Sequence, residues 1–186
     1  MKYPALGLVE TNSVARGILV HDVMLKKARI SVLESHSICP GKYMVLIAGG
    51  EREVQEALEE GLHYGGEAVV DSLFIPHISE DVFPAMVGGN QDLAIDSVVI
   101  VETFSVSAAI VLADMALKHN AVRLLDLRLA QGLGGKAFFL ITGPLYEVEE
   151  AARHLEAAGE PGMVTNIEII PAPHEGLMDA VGGRIL

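Results

Sequence analysis

A single cysteine, no tryptophan and an aromatic content of 5% leave this chain without the usual covalent or aromatic anchors of a small domain. One thiol excludes an internal disulfide, and a reducing, cytoplasmic location is the default expectation. Basic residues are also scarce: 13 Lys and Arg stand against 25 Asp and Glu, for a net charge of -12. Nucleic-acid binders present clustered basic faces, so a phosphate-backbone partner is excluded. Long apolar runs are missing too. The stretch from Val106 to Leu117 is interrupted by Asp114 and is shorter than the roughly 20 residues a bilayer core requires, which argues against a membrane. The opening Met1-Lys2-Tyr3-Pro4 runs straight into a strand-like segment, with no leader pattern expected. Against these absences, 51% of residues are hydrophobic and the mean hydropathy is +0.39. Surplus apolar surface without a membrane points to subunit interfaces.

The chain is written twice. Leu8 to Lys26 aligns with Ile100 to Lys118 at an offset of 92, with nine of nineteen positions identical. Chance would give roughly one. Gly41 to Leu58 aligns with Gly135 to Ala152 at an offset of 94, with nine of eighteen identical. The two-residue change falls between the blocks, where Ser37-Ile38-Cys39-Pro40 of the first copy faces Leu129-Ala130-Gln131-Gly132-Leu133-Gly134 of the second. Two units follow, 1–92 and 93–186, and they differ in a loop, where function usually varies on a fixed scaffold.

Each unit has the same expected order. Ala5 to Glu10 reads as a buried strand; Thr11-Asn12-Ser13 then offers capping side chains to a helix carrying Val14, Ile18 and Leu25 and ending at Lys26-Lys27. Arg29 to Ser37 and Tyr43 to Ala48 read as a hairpin around Cys39-Pro40-Gly41. Glu51 to Leu62 places Val54, Ala57, Leu58 and Leu62 on one helical face, and Val69 to Ile75 closes the unit. The second copy repeats this with Ser97 to Glu102, Ser105 to Lys118, Val122 to Leu129, Lys136 to Thr142, Leu145 to Ala158 and Val164 to Ile170. Strand, helix, strand, strand, helix, strand is the α+β, ferredoxin-like βαββαβ arrangement, here in tandem.

Val9-Glu10-Thr11, Asp22 to Lys26, the Gly41-Lys42 strand start and the terminal Ile170-Pro171-Ala172-Pro173-His174-Glu175 together resemble the bacterial microcompartment shell protein domain. With two copies in one chain, the resemblance is to the tandem-domain, trimer-forming class, and Ser37 to Lys42 is similar to its PduT-type members. The resemblance implies a homotrimer with pseudo-sixfold symmetry, located in a microcompartment shell and tiling with other shell proteins. It implies a structural role rather than an enzyme. Lys26 and Lys118 are carried over as tile-edge residues. The Arg that the family commonly places between the two terminal prolines is Ala172 here, and the first copy has Pro76-His77.

Taken on one chain, a lone Cys is most often a small buried hydrophobe. The resemblance changes the expectation, because it turns the two hairpin loops toward the ring axis as pore loops: Ser37, Ile38, Pro40 and Gly41 around Cys39, and Gln131, Gly132, Leu133 and Gly134 in the second copy. It implies that Cys39 of three chains binds a [4Fe-4S] cluster, one per trimer, with one iron lacking a protein thiolate. Electron transfer across the shell or cluster delivery would follow, with encapsulated redox enzymes as partners. Thiolates are what such clusters require.

Two readings of other kinds compete. A shell trimer with a cluster-free central pore would conduct small metabolites, and duplicated ferredoxin-like units also build regulatory proteins that bind metabolites between domains. A thiol enzyme pairing Cys39 with His36 is weaker, since strand alternation separates residues three apart and no orienting third residue is identifiable. Glu10 and Glu102, at the strand-to-helix junctions, read as structural capping. Gly132 to Gly135 precedes a strand, which is unlike a phosphate cradle that opens a helix. The run Glu51, Glu53, Glu56, Glu59 and Glu60 reads as a solvated helix face.

Overall fold

A computed structural model describes residues 3–87, 94–130, 132–158 and 163–177. The chain divides into two compact units, Met1–Ile78 and Ser79–Leu186. The first contains β1 (Ala5–Thr11), α1 (Val14–Lys27), β2 (Ser31–Ile38), β3 (Lys42–Gly49), α2 (Glu51–Gly65) and β4 (Val69–Pro76). In the second are a short helix α3 (Val82–Met86), then β5 (Ser97–Thr103), α4 (Val106–His119), β6 (Arg123–Leu129), β7 (Ala137–Gly143), α5 (Leu145–Ala158) and β8 (Val164–Ile170). The expected βαββαβ order holds in both. The helix α3 lies in a stretch where no element was expected.

Each sheet is antiparallel, in the order β2-β3-β1-β4 and β6-β7-β5-β8. The irregularities repeat as well. An extra residue interrupts the pairing at Leu33 in β2 and at Leu125 in β6, and the last strand shifts register opposite Glu10/Thr11 and Glu102/Thr103. These bulges explain why the apparent alternation of Ile30, Val32 and Leu33 misplaces the strand: β2 begins at Ser31, and side chains change face across Leu33.

Local chemistry sets the helix starts. Thr11 Oγ1 donates to Ser13 O at 2.9 Å, and Ser13 Oγ accepts from Arg16 N at 3.3 Å. Thr103 and Ser105 repeat this, with Ala108 N as donor at 3.2 Å. Each cap satisfies an amide left open by the first helical turn. At the far end Lys26 and Lys27, like Lys118 and His119, sit where the helix dipole favours positive charge.

One sheet face of the first unit packs on both helices. Ala5, Val9, Val45 and Ile47 from the strands meet Val20 and Met24 of α1 and Val54, Ala57 and Leu58 of α2. Burying each of the larger side chains contributes about 1.5–3 kcal/mol before the entropy of ordering is counted. On the opposite face Leu6, Leu8, Met44, Leu46 and Ala48 are buried as well. In the second unit, Val98, Leu125 and Leu140 form a cluster joined by Ile100 and Phe138. No helix among the described residues is long and apolar enough to cross a membrane.

Candidate functional site

The cysteine loop is a hairpin tip. Ile38 pairs with Lys42, leaving Cys39, Pro40 and Gly41 to turn the chain. Gly41 has φ +70, a left-handed conformation costly to any residue with a Cβ, so a glycine belongs at this three-residue turn. The Cys39–Pro40 peptide is cis. Ile38 is buried while Ser37, Cys39, Pro40 and Gly41 are exposed. Cys39 is therefore not the small buried hydrophobe that a lone cysteine suggests: the tight turn points it out of the fold. No group of three potential metal ligands exists among the described residues of one chain.

The loop's exit is held by a pair that the sequence reading missed. Lys42 Nζ donates to Glu10 Oε2 at 2.6 Å, and the Glu10 side chain is almost fully buried. Its other oxygen, Oε1, has no hydrogen-bond partner among the described residues. Burial raises the Glu10 carboxyl above its ordinary value; Lys42 opposes the shift and Asp71 adds to it. The capping role expected of Glu10 and Glu102 is thus corrected. Strand alternation turns both away from the helix ends, where Ser13 and Ser105 are the caps; Glu10 is buried beside Lys42, and Glu102 is exposed. The usable signal was the phase of Leu6, Leu8 and Glu10 on one face of β1.

His36 is occupied within its own strand. Its Nε2 lies 2.9 Å from Glu34 Oε2 and its Nδ1 lies 3.2 Å from Ser37 O. Behind the loop, Ser35 Oγ lies 2.9 Å from His21 Nδ1 and donates to Tyr43 Oη at 3.0 Å. The Tyr43 ring stands over α1 at Gly17, where an added Cβ would come within 2.5 Å of Tyr43 Cβ.

The second hairpin loop is built differently. Ala130, Gly132, Gly134 and Gly135 all have positive φ, and Lys136 N donates to Leu133 O at 3.1 Å. Gly132 and Gly134 are exposed and Leu133 is half-buried. Gln131 lies outside the described residues. The two lysines carried over as edge residues share a setting: Lys26 Nζ pairs with Asp22 Oδ2 at 2.5 Å, and Lys118 Nζ with Asp114 Oδ2 at 2.6 Å, each four residues apart on its helix.

Comparison with known proteins agrees with this duplicated architecture. The BMC domain family matches twice, at residues 5–78 and 97–173. The chain is 39% identical over 174 residues to the bacterial microcompartment shell protein PduT of Citrobacter freundii, covering 93% of this chain and 95% of that protein. A crystal structure of a microcompartment protein from Desulfitobacterium hafniense DCB superimposes with a TM-score of 0.86 at 39% identity, covering 93% of this chain and 97% of the other. With both halves matched and both relatives covered nearly end to end, the chain belongs to the bacterial microcompartment shell protein family, as a tandem of two BMC domains.

Proposed function

We propose that this chain is a non-catalytic structural tile of a microcompartment shell, in which residues 1–92 and 93–186 form the duplicated shell domains. Three chains close a ring, and Cys39 of each chain holds a shared [4Fe-4S] cluster on the axis. The observation that carries the reading is the thiol's position: exposed at the tip of a three-residue hairpin, with the preceding Ile38 buried as its anchor. One chain supplies a single thiol, too few for such a cluster, so the donor set fits only if several chains contribute.

When bound, the cluster would supply one-electron transfer across the shell, to or from encapsulated redox enzymes, or iron-sulfur groups for delivery. The chain's own residues set the geometry. Gly41 lets the turn close and lets backbone come near the sulfurs, and Lys42 is pinned by Glu10. Gly132, Leu133 and Gly134 line the axis from the second loop. Lys26 and Lys118 lie at the tile edges, meeting other shell proteins.

Anaerobic purification of the wild-type chain and of Cys39→Ala tests this. The expected result is a brown wild-type trimer carrying iron and acid-labile sulfide, and a colourless variant of the same mass. A chromophore that survives the substitution removes Cys39 from the role. An iron-free wild-type trimer leaves the ring as a plain pore.

A further inference from the structure

The hairpin that carries Cys39 is built beside a buried charge. On β1, Leu6, Leu8 and Glu10 share the sheet face opposite the helices, and Glu10 stands between Met44 of β3 and Asp71 of β4. Glu10 is 0% exposed, as are Leu8, Met44 and Leu46 around it. Bulk water therefore does not solvate this carboxylate. Lys42 Nζ serves Oε2, and Oε1 has no hydrogen-bond partner among the described residues. A carboxylate in such a place keeps its charge at a cost that the ammonium only partly offsets.

Lys42 ties this charge to the cysteine. It is the pairing partner of Ile38, the residue before Cys39, so the ion pair sits at the base of the turn. On the same face β2 contributes His36, opposite Met44, with Glu34 bound to it. The charged and titratable groups that share the face with Glu10 are thus Lys42 from β3, Asp71 from β4 and the His36–Glu34 pair from β2, while α1 and α2 pack on the other face. The second unit is different. Glu102 and Lys136 hold the matching positions and both are exposed, in the half that has no cysteine. Burial of the pair goes with the thiol.

We infer that Glu10 binds a proton when the cluster held by Cys39 gains an electron and releases it when the electron leaves; the inference rests on the cluster reading above. The electron comes from a one-electron carrier of the flavin or iron-sulfur type, and the proton from solvent, which the 23% exposed Lys42 side chain reaches. An O–H bond forms at Glu10 Oε1, the oxygen without a partner, while Oε2 keeps its hydrogen bond from Lys42. The neutral pair becomes a cationic one, and this offsets the added electron. Charges inside a protein are screened far less than charges in water, so the two events feel each other across the base of the hairpin. Burial already holds the Glu10 carboxyl above 4.5, with Lys42 opposing and Asp71 adding, and further negative charge nearby acts in the same direction as burial. Three copies of the pair surround one cluster and share the proton, so uptake does not exceed a single proton per electron.

Redox titration of the anaerobically purified, cluster-loaded trimer at a series of pH values tests this. The wild-type potential should lie on an upper plateau in acid, fall as pH rises through the window above 4.5 in which Glu10 titrates, and level off on a lower plateau. Glu10→Gln, neutral throughout, should give a flat profile near the upper level. Lys42→Gln should move the sloping window to higher pH, because it removes the group that draws the Glu10 carboxyl down. Reduced-minus-oxidised infrared spectra should show a protonated-carboxyl band gained on reduction in the wild type and absent from Glu10→Gln. Should Glu10→Gln fail to assemble, the wild-type band and the Lys42→Gln displacement decide. A pH-independent wild-type potential overturns the inference and leaves the cluster standing; so does a slope that survives in Glu10→Gln, which assigns the proton to a ligand on the open iron. A wild-type chain that takes up no cluster overturns the cluster reading and this inference with it.

Discussion

The two halves share a plan but solve the same junction in opposite ways. Where α1 crosses β3, the first unit sets Gly17 beneath the ring of Tyr43; at the same place the second unit has Ala109 and Ala137. Large against none has become small against small. Around that ring His21, Ser35 and Tyr43 form a polar network, and the matching residues Ala113, Leu127 and Ala137 are apolar and buried. The pairs just beyond are retained in kind: Glu34 with His36 becomes Asp126 with Arg128 at 2.7 Å. Duplication has preserved the strand order and the bulges, and let the contacts beside the cysteine hairpin drift as coupled sets. Close packing makes such coupling necessary, because a change of one methyl group is felt by its neighbour.

The strongest way to break this comparison is a double-mutant cycle. Gly17→Ala should destabilise the chain by about 1–3 kcal/mol, since the new methyl group has no room beside Tyr43. Tyr43→Ala loses ring packing at a cost of about 2–3 kcal/mol. Together they rebuild the small-small junction of the second half, so the double variant should be more stable than the sum of the two by about 1–2 kcal/mol. Denaturant unfolding measures this, and strict additivity would mean that the ring and the glycine are independent.

A smaller difference is expected at the two edge lysines. Asp114 is buried and Asp22 is exposed, so Lys118→Ala leaves a buried carboxylate short of a partner and should cost about 1 kcal/mol. Lys26→Ala removes a solvated pair worth about 0.3–0.5 kcal/mol. Equal losses in thermal unfolding would contradict the contrast.

Glu10 gives the mildest test, as a slope rather than an offset. Its carboxyl is raised above 4.5 chiefly by burial. A raised value means the folded chain keeps this proton longer than the unfolded chain does. That contribution is complete below 4.5 and is lost as pH climbs through the raised value. Relative to Glu10→Gln, the wild type should lose stability as pH rises over this window.

Much of the fold was legible because a repeat tests each reading twice. Ser13 and Ser105 announced two helix starts, and Gly41 and Gly135 marked where the second hairpin strands begin. Bulges were not legible: Leu33 is as apolar as its neighbours, and only the pairing reveals that it is the extra residue. Glu10 was misjudged because its partner, Lys42, is distant in sequence and becomes adjacent only once β1 and β3 are in register. The short α3 carries Pro84 within five residues, too brief a stretch for periodicity to register. For the candidate site, the sequence placed Cys39 in a hairpin loop, but its exposure depends on the turn being three residues long with Gly41 left-handed.

Fusion of two unlike hairpins in one polypeptide also fixes a ratio. Every assembly built from this chain, whatever its copy number, contains one thiol-bearing turn for each glycine-rich turn. Two independently expressed half-length subunits would mix in proportions set by their relative synthesis, and some rings would carry too many sulfurs and others too few. Covalent linkage makes that stoichiometry a property of translation rather than of assembly.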